Sequence, residues 1–103
     1  MTNKKNLTIE LKNFSPSFIA SREVARIVTQ KLIEQLSHSN DREVFLDFKN
    51  IIFVSRSFAD EIIDSIEMLS EKRIRVKIKN ANLSINKMLS LVKAKRKKIL
   101  KTN

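Results

Sequence analysis

Apolar residues recur at every second position in three short stretches of the chain. In "LTIEL" (residues 7–11) they are Leu7, Ile9 and Leu11; in "EVFLDF" (43–48) Val44, Leu46 and Phe48; in "IRVKI" (74–78) Ile74, Val76 and Ile78. A period of two sets these side chains on one face of a half-buried β-strand. Elsewhere the period becomes helical. Val24, Ile27, Val28, Leu32 and Leu36 make one stripe; Phe58, Ala59, Ile62, Ile63, Ile66 and Leu69 a second; Ile85, Met88, Leu89 and Val92 a third. Methionine and phenylalanine at this spacing read as core.

The order is strand then helix, three times over, which predicts an α/β fold with a small, mostly parallel sheet and right-handed crossovers. Each strand has one apolar face and one mostly polar face, so the helices are expected mainly on one side of the sheet. The other side would carry Thr8, Glu10, Glu43, Asp47, Arg75 and Lys77, with cross-strand charge pairing as their expected role. Phe45 is the exception on that polar side. Pro16 in "NFSPSF" and the polar run "SHSNDRE" read as loops. No internal boundary divides the chain, so residues 1–103 form one expected domain, with a core over about 7–92 and a basic C-terminal helix or tail over 93–103.

Composition narrows the chemistry. The 103 residues contain no glycine, no cysteine and one histidine, His38. Phosphate-cradling loops, dinucleotide fingerprints and nucleophile elbows all need glycine for left-handed turns or close backbone approach. A single histidine in the polar loop "SHSND" supplies neither a zinc site nor a triad. The expectation is a non-enzymatic protein without cofactor or metal. The lack of cysteine fits a cytoplasmic protein. No apolar run is long enough to span a bilayer, and the start "MTNKKNLTIE" lacks a signal peptide's apolar core, so no membrane association is expected.

Charge is segregated. Residues 1–56 hold nine Lys/Arg against six Asp/Glu, residues 57–71 five acids and no base, and residues 72–103 twelve bases and no acid. Such an arrangement predicts two faces attracting different partners.

At "FLDFKNIIFVSRSFADEII" the chain resembles the STAS-like domains, and specifically a small bacterial STAS-like family of unassigned function. The residues that carry the resemblance are Asp47 and Phe48 at a strand end, then Ser57, Phe58, Ala59, Asp60 and Glu61 opening a helix. "SREVAR" (21–26) and "KNAN" (79–82) match two further pieces, and the likeness spans roughly residues 7–92. The wider superfamily includes anti-sigma-factor antagonists, in which a serine at this strand-to-helix junction is phosphorylated by an ATPase-kinase of the histidine-kinase fold. Laid over their Asp-Ser-Ser-Gly motif, Ser55 stands in the aspartate's place, Arg56 in the first serine's, Ser57 in the phosphorylated serine's and Phe58 in the glycine's; three of the four differ. The resemblance implies a regulatory protein–protein interaction module.

The residues themselves allow two roles for Ser57. It precedes an apolar-periodic run, so its hydroxyl is an expected N-cap, with Asp60 and Glu61 in the favourable first turn. It is also a candidate phosphoacceptor, because phosphate at a helix start meets free N–H groups and here a neighbouring Arg56, although Asp60 and Glu61 would repel the dianion. Asp60, Asp64, Glu67 and Glu71 follow helical spacing as an acidic stripe. With Ser55, Arg56, Ser57 and Glu61, Asp60, Asp64 and Glu67 make the candidate partner-binding surface, a solvated face being the alternative. "KAKRKKILK" (93–101) offers Lys93, Lys95, Arg96, Lys97 and Lys98 as candidate nucleic-acid contacts, non-specific because no aromatic interleaves them.

Overall fold

A computed structural model describes residues 7–15 and 19–101, with Ile19 and the last five residues described as backbone only. The expected α/β architecture is present. Strands β1 (Leu7–Glu10), β3 (Glu43–Asp47) and β5 (Arg75–Lys79) form a parallel sheet in the order β1-β3-β5, each pair of successive strands being joined through a helix. The helices are α1 (Arg22–Leu36), α2 (Arg56–Glu71) and α3 (Leu83–Lys101). Residues 93–101 therefore continue α3 and are not a separate tail.

Register explains the one-sided core. Ile9 pairs with Leu46 and Leu46 with Ile78, and Leu7, Val44 and Val76 form the parallel row. These side chains join Val24, Val28 and Leu32 of α1, Phe58 and Ile62 of α2, and Ile85, Leu89 and Val92 of α3 in one cluster. The alternate positions Thr8, Glu10, Arg75, Lys77 and Lys79 are exposed. Phe48 lies just past β3, where its N–H donates to the Lys79 carbonyl at 2.9 Å and its ring meets Phe58 edge-on.

Two features depart from the periodic reading. A two-stranded parallel pair, β2 (Ile19–Ala20) and β4 (Phe53–Val54), precedes α1 and α2. Two residues per strand are too few to show any period. On α1, Ile27 is 42% exposed whereas Ala25 is fully buried. The buried arc is turned toward Ala25 and Thr29 because α2 packs there: the Thr29 and Ser65 hydroxyls meet at 2.6 Å, and Ser65 spends its own proton on the Glu61 carbonyl. At 100° per residue, Ile27 falls outside that arc.

A chain without glycine still makes left-handed turns. Asn50 (φ 71°), Arg73 (φ 64°) and Asn80 (φ 59°) occupy them. Arg73 ends α2 in a Schellman motif: its N–H donates to Ser70 C=O, and that of Ile74 to Leu69 C=O, each at 2.9 Å. Leu69 and Ile74 are both buried, as the motif's apolar contact requires.

Candidate functional site

The end of β4 feeds α2 through "VSRSF", and the helix begins one residue after Ser55. Ser55 has extended backbone (φ −73°, ψ 161°), and its hydroxyl accepts from the Phe58 N–H at 3.0 Å. Ser55, not Ser57, is therefore the N-cap. The extended β4 geometry runs on to Ser55 and leaves Ser57 already in helical turn, half-buried at the second helical position. Asp60 and Glu61 consequently lie beyond the first turn, which holds no acid. Arg56, at the first helical position, is exposed.

The acids of α2 are distributed between its two neighbours. Glu61 faces α1, with Arg22 and Arg26 each 3.7 Å from its carboxylate. Asp64 and Glu67 face α3. Arg96 binds the Asp64 carboxylate, reaches Glu67 Oε1 at 3.3 Å, and donates from Nη2 to the Asp60 carbonyl at 3.1 Å. The Asp64 hydrogen bond and the surrounding carboxylate charge raise the Arg96 pKa above its ordinary value, against partial desolvation. So the acidic stripe and the basic helix are adjacent, and Arg96 draws them together. Asp64 remains 63% exposed on its outer side and Glu71 is exposed, so part of the stripe still faces solvent. A shallow groove between α2 and α3 is lined by Arg56, Asp60, Val92, Lys95 and Arg96.

Of the candidate nucleic-acid contacts, Lys93 and Lys95 are exposed on α3, whereas Arg96 is committed to α2. The side chains of Lys97 and Lys98 lie outside the described residues.

The C-terminal ends of β3 and β5 carry polar residues, among them Asp47, which was expected on the exposed polar face in cross-strand charge pairs and is instead buried under the loop after β5. Asp47, only 9% exposed, accepts from the Asn80 amide at 2.8 Å and from the Lys49 N–H at 3.0 Å. Burial alone would raise its pKa. The Asn80 and Lys49 hydrogen bonds and the Lys79 and Lys49 charges outweigh that, and the carboxyl sits below its usual value. Asn82 caps α3, its Oδ1 accepting from the Ile85 N–H at 2.9 Å, while its Nδ2 donates to the Ile52 carbonyl at 3.0 Å. The Asp-Phe and "KNAN" pieces thus tie the loops after β3 and β5 together at one edge of the sheet. The spacing Asn82-x-x-Ile85 ahead of an apolar stripe was the available signal.

No family model, curated protein or solved structure matches the chain. Among the described residues no helix is long and apolar enough to cross a membrane, and no three metal-ligating side chains gather in one place.

Proposed function

We propose that this chain is a non-enzymatic, STAS-like regulatory module that acts by protein–protein contact, docking through the β4–α2 junction and the start of α2. The observation that carries the reading is the division of labour between two serines. Ser55 supplies the cap, so Ser57 has no capping task, yet it sits half-buried in the first turn of α2 beside the exposed Arg56. A phosphoryl group on Ser57 would meet the positive end of the helix and the Arg56 guanidinium. An ATPase-kinase of the histidine-kinase fold is the partner class that the resemblance implies. The modification would change the charge of the docking surface without dismantling the helix start.

Capture from the native host tests this with wild type, Ser57→Asp and Arg56→Glu. Asp64 and Glu67 are poor choices for charge reversal, because they also hold Arg96. The expected result is a partner set that changes with Ser57→Asp or Arg56→Glu, and phosphate on Ser57 in material from the host. Identical partners for all three proteins, with Ser57 unmodified, would end the proposal.

The exposed Lys93 and Lys95, which make no ion pair among the described residues, favour a second reading as a small basic nucleic-acid-binding protein acting through α3. Lys93→Gln/Lys95→Gln tests it without loosening α3, since Arg96 stays in place. This reading requires weaker binding to a random duplex by that variant at the same salt.

A further inference from the structure

The open face of the sheet is not evenly charged. β5 is an edge strand, and its alternate residues Arg75, Lys77 and Lys79 are all exposed there. Arg73, exposed at the left-handed turn before β5, adds a further cation at the start of this edge. Residues two apart on a strand are about 6.6 Å apart, so the cations form a straight ladder along the edge. Beside it on the central strand stands Phe45, the one aromatic on this face among the described residues, half-buried and level with Thr8 and Lys77. Lys79 Nζ lies over its ring, 5.1 Å from the centroid.

Charge pairing across the strands, the expected role of these residues, explains only part of this. Glu43 takes Lys77 at 3.4 Å, whereas Arg75, its direct partner in register, makes no ion pair among the described residues. Asp47 is buried and hydrogen-bonded by Asn80 and Lys49, and Lys79, opposite it in register, acts on it by charge without an ion pair among the described residues. The remaining acid of the face, Glu10, lies on β1, two strands from the ladder and so roughly 10 Å away.

We propose that this face binds single-stranded nucleic acid, with phosphates following Arg75, Lys77 and Lys79 along β5 and one base stacked on Phe45. A strand of phosphates matches a linear cation ladder, and an unstacked base matches a ring covered only by the Lys79 ammonium. A base on the ring displaces Lys79, whose charge is then available to a phosphate. A second copy of the chain is a poorer occupant. Three strands about 4.8 Å apart and five residues long give a patch far below the ~800 Å² per partner of a stable dimer. A duplex keeps its bases stacked and would leave Phe45 unused.

The test is fluorescence anisotropy with a labelled oligouridylate, titrated at several salt concentrations. Arg75→Gln/Lys79→Gln is expected to weaken binding at least tenfold and to reduce the salt slope by about 1.4, two contacts at about 0.7 each. Phe45→Leu is expected to weaken it about tenfold, while Phe45→Tyr, which keeps a stacking surface, stays within about twofold of wild type. Far-UV circular dichroism checks each fold; should Phe45→Leu fail to fold, the slope of the Arg75→Gln/Lys79→Gln variant decides. Any of four results overturns the proposal: no binding at low salt; an unchanged affinity for folded Phe45→Leu or for Arg75→Gln/Lys79→Gln; equal competition by polyglutamate, which would mark an acidic protein site; or loss confined to Lys93→Gln/Lys95→Gln, which would place binding on α3.

Discussion

The Asp47 carboxylate accepts a 2.8 Å hydrogen bond from the Asn80 side chain and so joins the end of β3 to the left-handed turn after β5. Asn80→Gly deletes the amide and keeps the backbone free to turn left, and glycine's own backbone terms do not depend on pH. A charged hydrogen bond of this kind contributes about 1.5–3 kcal/mol. The sign of its pH dependence follows from the lowered Asp47 pKa. The stabilisation is present above the unfolded-state value and is lost as pH falls through the folded one. Urea unfolding should show Asn80→Gly destabilised near pH 6, with the gap from wild type closing below pH 4. A gap that stays constant down to pH 2 would assign the effect to the turn and not to the carboxylate.

The two serines of the junction should separate cleanly. Ser55→Ala removes the N-cap and is expected to cost about 0.5–2 kcal/mol. Ser57→Ala removes a hydroxyl with no capping role and should stay within about 0.5 kcal/mol of wild type. Chemical denaturation of both variants in the same buffer checks this, and equal losses would contradict the cap assignment.

Arg73 holds a left-handed φ of 64° that costs a residue with a Cβ about 1–2 kcal/mol. Glycine removes that strain but adds unfolded-state entropy of about 0.5–1 kcal/mol. Arg73→Gly is therefore expected to stabilise by about 0.5–1 kcal/mol, measured as a higher urea midpoint with an unchanged slope. Arg73→Val, β-branched at the same angle, should move the midpoint the other way.

Arg96 is the clasp between α3 and α2. Its side chain is 25% exposed and its partners more so, which limits the coupling of Arg96 with Asp64 to about 1 kcal/mol. A double-mutant cycle on Arg96→Met and Asp64→Asn should give that value at low salt and less at high salt. Amide exchange in α3 beyond Val92 should quicken in Arg96→Met while that of β3 is unchanged. Equal acceleration in both would mean global unfolding and not local release.

Much of the architecture is written locally. The alternation Val44-x-Leu46 and Val76-x-Ile78 marks strands because a pleated backbone sends successive side chains to opposite faces, and the spacing of Phe58, Ile62 and Leu69 marks a helix for the corresponding reason. Those patterns, with the strand–helix order, were enough to place three parallel strands and an open polar face.

What the tertiary structure decided depends on residues distant in sequence or on a single backbone angle. Ser55 and Ser57 are two residues apart and equally good caps by type; pairing of β4 with β2 extends the chain up to Ser55 and so starts the helix there. Ile27 belongs to an apolar stripe, but the position of α2 turns the buried arc toward Ala25. Asp64 reads as a free acid until Arg96, 32 residues away, is brought across α2 by the packing of α3. Phe45 reads as an irregularity until the register sets it beside Lys77 and under Lys79. Periodicity reports which face of an element is apolar; only packing determines what each face meets.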